Sequence, residues 1–156
     1  MAPWVCIRTM QPRYAGAMDP GVRDPWRPVF DQLTQLRDSW PAPPWDWDGR
    51  FHTISATFAR DAEPAVRASA VHAFPAGYTA TTLATAPPAL AAIAARTGGL
   101  RAGQRLLAGD LSGELVLYGL WWPWGGGEKI TLRIGFANLA LPAEPVVWLR
   151  ELFGVG

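Results

Sequence analysis

LVLYGLWWPWGGGEKITLRIGFA, residues Leu115 to Ala137, holds two runs of aliphatic, aromatic and β-branched residues around a cluster of turn formers. Leu115–Trp122 and Lys129–Ala137 are predicted to be antiparallel strands, with Pro123-Trp124-Gly125-Gly126-Gly127 as the tip of their hairpin. Side chains alternate between the two faces of a strand, so Trp121 and Trp122 point in opposite directions. One packs in a core. The other requires a second apolar layer, a ligand or a partner. The tip also holds glycines and a lysine. Ile130 replaces the Ser/Thr of a phosphate loop, and the tip lies between strands rather than ahead of a helix, so it reads as a connector.

Upstream of the hairpin, Pro88 opens a helix that runs to Arg96 (Leu90, Ile93, Ala94 inward) and closes at Gly98-Gly99. Gly77–Thr85 reads as a threonine-rich strand. Phe51–Arg60 and Ala65–Phe74 read as two strands joined by the turn Asp61-Ala62-Glu63-Pro64, although the alanines of the second also suit a helix. Asp24-Pro25 is a helix start, and Trp26, Val29, Phe30, Leu33, Leu36 and Trp40 recur on one helical face until Pro41 ends it. Pro41–Gly49 reads as a loop, and Trp4–Ala15 as an opening strand. A final helix spans Pro142 or Ala143 to Phe153.

The order is β-α-β-β, again β-α-β-β, then α. It defines an α+β fold: two βαββ-like halves forming a mixed or antiparallel sheet with helices packed on it, plus a C-terminal helix. A chain of 156 residues fits one domain, 1–156, with halves at 1–74 and 75–138 and the last helix at 142–154. Parity adds a register. Pairing the apolar sets of Phe51–Arg60 and Ala65–Phe74 on one face places His52 opposite His72.

Composition narrows the function classes. Cys6 is the only cysteine, so no intrachain disulfide forms. Net charge is +1 with scattered arginines, which argues against a nucleic-acid groove. No basic n-region with an apolar core opens the chain, and no run of ~18 apolar residues occurs, so the expected location is cytoplasmic, without membrane contact. Only Lys129 among the basic residues is a lysine, a bias that suggests a bacterial genome. None of Ser39, Ser55, Ser69 and Ser112 sits in a nucleophile elbow. Asp46 and Asp48 supply too few ligands for a metal. No catalytic residues, metal or cofactor are expected.

Phe74-Pro75-Ala76-Gly77-Tyr78-Thr79-Ala80, followed by Pro87-Pro88-Ala89-Leu90 at a helix start, resembles the opening of the second half of GyrI-like effector-binding domains. Ile7–Gly16 resembles that family's first strand. The resemblance covers residues 4–138 and implies a small-molecule-sensing module. Such domains carry an acid on the strand after the second helix that faces a cationic ligand. Val116 stands at that place here, with Glu114 two positions earlier, and the family's Gly-Pro turn reads Ala86-Pro87.

Nine tryptophans supply either a bulky core or an aromatic site. Two functional readings follow. The first is non-catalytic binding of a lipophilic, drug-like small molecule, apolar or aromatic, in an aromatic cleft lined by Tyr78, Glu114, Tyr118 and Trp122. The second is a protein-interaction or inhibitor module that grips a partner protein through exposed tryptophans. Glu114 and Tyr118, four residues apart, are expected on one side of one strand.

Overall fold

The computed structural model describes residues 24–137 and 144–156. The expected strand Trp4–Ala15 and Cys6 lie outside the described residues. Within them the chain is an α+β fold built on a six-stranded antiparallel sheet. The strands are β1 (Asp46–Asp48), β2 (Thr53–Ala59), β3 (Ala76–Tyr78), β4 (Arg105–Ala108), β5 (Leu117–Trp124) and β6 (Lys129–Phe136), in the spatial order β1-β2-β6-β5-β4-β3. The described helices are α1 (Arg27–Ser39), α2 (Glu63–Ala70), α3 (Pro88–Arg96) and the C-terminal α4 (Glu144–Phe153). No described helix is long and apolar enough to cross a membrane.

Alternation along the strands divides the sheet into two faces. Face A carries Ile54, Ala56, Phe58, Trp121, Ile130, Leu132 and Ile134, packed under α1, α2 and α4. Face B carries Leu106, Ala108, Tyr118 and Leu120, packed under Leu90, Ile93 and Ala94 of α3. The β5–β6 hairpin keeps Trp122 opposite Thr131 and Trp124 opposite Lys129. β5 runs two residues past its expected end, through Trp124, while β6 starts at Lys129 as expected, so the tip is Gly125–Glu128, with Gly125, Gly126 and Gly127 all at positive φ. Pro123 fits inside β5 because β4 ends opposite Trp121, leaving no strand to accept its missing N–H on that side.

Three expectations are corrected. Ala65–Phe74 is not a strand: Glu63–Ala70 is helical, with Pro64 in the first turn and Glu63 paired to Arg67 at 2.9 Å. Alanine favours a helix, and Val66 and Ala70, four apart, bury together on face A. The partner of β2 is therefore β6, and the His52–His72 pairing does not exist. Pro41–Gly49 is not all loop, because Asp46–Asp48 pairs with the start of β2. Gly77–Thr85 is a strand only through Tyr78; hydrogen bonds from the backbone N–H of Thr82 and Leu83 to the Thr79 carbonyl, 3.2 and 2.9 Å, turn the chain away. The four-residue β4 shows no alternation long enough to read in advance. It makes the second unit β3-α3-β4-β5, with β6 added.

Candidate functional site

The site is built on face B, where the apolar floor under α3 gives way to polar side chains. Tyr78 pairs with Leu106, and Leu106 with Leu120; Tyr118 and Trp122 flank Leu120 on β5. Cross-strand partners share a face, and so do residues two apart on a strand. Three of the four expected lining residues are thus brought to one face. Glu114 is not among them. It is exposed in the connection between β4 and β5, beside a turn in which Asp110 accepts from the Ser112 N–H (2.9 Å) and hydroxyl (2.7 Å). β5 begins only at Leu117, so Glu114 and Tyr118 do not share a strand.

Beyond Tyr118 the face runs over Gly135 of β6 to Thr53 of β2 and Asp48 of β1. A Cβ on Gly135 would lie 3.0 Å from the Tyr118 hydroxyl and 3.0 Å from Thr53 Cγ2. The missing side chain lets the Tyr118 ring lie across β6. Burial raises the Tyr118 hydroxyl above its ordinary pKa, Arg96 opposes this by charge and hydrogen bond, and the Asp48 carboxylate adds to the rise. The phenol therefore stays protonated at neutral pH and keeps a proton to donate.

Arg133 of β6 occupies the next row. Its Nε donates to Asp48 Oδ2 at 2.9 Å, and its guanidinium lies 4.8 Å from the Trp122 ring centre and 5.5 Å from that of Phe51. Phe51 and Trp122 meet edge to face at 5.9 Å, forming a wall over the ion pair. The β1–β2 connection positions Phe51. Asp48 Oδ1 accepts from the Arg50 N–H at 3.1 Å, and His52 takes a φ of 53°, the left-handed region a non-glycine residue enters at a cost. Arg50 lies 5.0 Å from the Phe51 ring.

Two polar atoms in this region lack partners. Thr53 Oγ1, on a fully buried residue, and the buried Nε1 of Trp122 make no hydrogen bond. Each such omission costs about 1–3 kcal/mol. Trp45 Nε1 is also unpaired, but Trp45 belongs to the core of face A, between Trp40 and Phe153. By contrast Trp124, with a half-exposed ring, donates to Thr131 Oγ1 at 2.9 Å.

The sequence reading missed Thr53, Arg96, Arg133, Asp48 and Phe51. Asp48 is expected in a loop; β1 pairing and the Arg133 ion pair leave its side chain 18% exposed. Nothing in the local sequence brings residues 48, 53, 96, 118 and 133 together, because sheet register and the packing of α3 on face B do so. Most of the tryptophan excess serves face A, where Trp26, Trp40, Trp45, Trp121 and Trp148 join Phe30, Phe58, Phe136 and Phe153 in the core. Trp124 is the exposed tryptophan among the described residues. No described group of three or more His, Cys, Asp or Glu side chains is placed to hold a metal.

Trp122 and Phe51 form an aromatic surface, and Tyr118, Thr53, Arg96 and Arg133 are the polar groups near it. No protein family, curated protein or solved structure matches this chain.

Proposed function

We propose that this chain is a non-catalytic small-molecule-binding domain whose site lies on face B around Tyr118 and Trp122, and whose ligand is an aromatic molecule carrying an anionic group. The observation that carries this reading is the pair of unpartnered buried atoms, Thr53 Oγ1 and Trp122 Nε1, on the same face as a protonated Tyr118. A ligand that bonds either atom recovers the free energy of a missing hydrogen bond. The charges set the sign of the ligand. Arg133 and Asp48 neutralise each other and Asp46 shares their face, so the net positive charge of the surroundings comes from Arg50 and Arg96. The resemblance to GyrI-like domains supports a ligand-binding role, with Phe74–Ala80 leading into β3 and then α3. Here the family's acid is replaced by the buried Val116, and cations take over, so the ligand's charge is reversed.

Calorimetric titration with 1-naphthoate and with the size-matched cation 1-naphthylmethylammonium tests this. The carboxylate should bind and the cation should not. Thr53→Val and Tyr118→Phe should each weaken binding by roughly tenfold, the effect of one lost hydrogen bond to a charged group. Preferential binding of the cation, or carboxylate binding indifferent to both substitutions, overturns the proposal.

A further inference from the structure

At the far edge of the sheet, on face A, a groove of about 220 Å³ lies between α2 and β3. Its floor is Trp121, with Phe74 beside it. Gly77 keeps the groove open. A Cβ there would meet only Leu107 Cδ2, at 3.3 Å, and the Leu106 carbonyl, at 3.8 Å. Two arginines stand over the floor. Arg67 stacks 5.1 Å from the Trp121 ring centre, and Arg105 is the cross-strand neighbour of Trp121 on β4. Arg67 shares its charge with Glu63 at 2.9 Å, whereas Arg105 is exposed and makes no hydrogen bond or ion pair among the described residues. No carboxylate lines the groove.

Three features point to a peptide rather than a small molecule. The volume is below the ~300–1,000 Å³ of small-molecule pockets and suits one large side chain. Val71, 54% exposed, extends the apolar surface past the groove onto the rim. β3 is the last strand of the described sheet on that side, with Ala76 and Gly77 exposed, so an extended segment can lie along it over the groove. We propose that this groove docks an extended acidic segment of a partner protein along β3, with an apolar side chain on Trp121 and flanking carboxylates on Arg67 and Arg105. Arg105, which has no carboxylate partner among the described residues, gives the charge complementarity, and Arg67 adds a cation shared with Glu63.

The test is fluorescence anisotropy of the full chain with a labelled peptide of pattern Glu-Glu-Val-Phe-Val-Glu-Glu, and with its counterpart in which lysine replaces glutamate. The acidic peptide should bind and the basic one should not. Arg105→Glu should weaken the acidic peptide by at least about tenfold and restore some binding of the basic one, as a direct charge contact requires. Gly77→Leu should abolish binding by filling the groove. Arg105→Glu changes an exposed residue and keeps the test decisive should Gly77→Leu disturb the fold. Thr53→Val, on the opposite face, should leave peptide binding intact, which separates this site from the one around Tyr118. Equal affinity for both peptides, no binding at about 1 mM, or binding indifferent to Arg105→Glu overturns the proposal.

Discussion

Trp121 and Trp122 are adjacent in the chain and meet opposite fates. Trp121 is buried on face A against Phe58, ring centres 5.5 Å apart, in the core under three helices. Trp122 is half-buried on face B against Phe51 and Arg133, with its indole N–H unpaired. One peptide unit thus separates a residue that supports the fold from one the fold supports. Outside the groove beside β3, face A is held by packing, with Trp45 Nε1 its one unpaired buried side-chain polar atom among the described residues, whereas face B leaves Thr53 Oγ1 and Trp122 Nε1 without partners at a standing cost.

The comparison breaks most visibly in the two alanine variants. Trp121→Ala should cost about 3–5 kcal/mol in chemical denaturation, the range for truncating a buried aromatic. Trp122→Ala should cost about 1–2 kcal/mol, since part of the ring is already in water and an unpaired N–H is removed with it. Equal losses would show that both faces are equally structural.

Gly135→Ala comes next. Its methyl would sit 3.0 Å from both the Tyr118 hydroxyl and Thr53 Cγ2, so about 1–3 kcal/mol of overpacking strain should appear in the denaturation midpoint, together with loss of 1-naphthoate binding. Retained binding would show that the Tyr118 position over β6 is not needed.

Thr53→Val has the opposite sign. It exchanges an unpartnered buried hydroxyl for a methyl of similar size, so the free protein should gain about 1 kcal/mol while ligand affinity falls. A loss of stability would mean that the hydroxyl is satisfied in solution.

The smallest effect at neutral pH concerns Tyr118. Its pKa in the folded state is raised above 10.0. Above the ordinary tyrosine pKa the unfolded chain releases this proton while the folded chain still holds it. The stability contributed by the neutral phenol is therefore complete below about pH 10 and is lost as pH rises through the higher folded value. Tyr118→Phe should remove that part of the alkaline decline. Ultraviolet titration of the folded protein should show this phenol ionising above the ordinary range. Ionisation of every tyrosine near pH 10 would contradict the burial.

Much of the scaffold was legible in the sequence. The helical face Val29, Phe30, Leu33, Leu36 and the hairpin across Gly125–Gly127 were readable because each is fixed by periodicity and turn chemistry within a few residues. The helix Pro88–Arg96, bounded by Pro88 and Gly98-Gly99, matches its reading end to end. Residues 65–74 misled because alanine-rich alternation fits two periods, and the burial of Val66 and Ala70 against face A chose the helical one.

Sequence by itself determined the α+β class, the opposed directions of Trp121 and Trp122, and the identity of the bulky core residues, because these follow from side-chain periods of two and 3.6. Only the tertiary structure decided that β2 pairs with β6, that Asp48 meets Arg133, and that the Tyr118 hydroxyl lies over Gly135 near Thr53. Those contacts join residues dozens of positions apart. Their partners are set by the register of non-consecutive strands, which depends on how the whole core packs and leaves no trace in any local window of the chain.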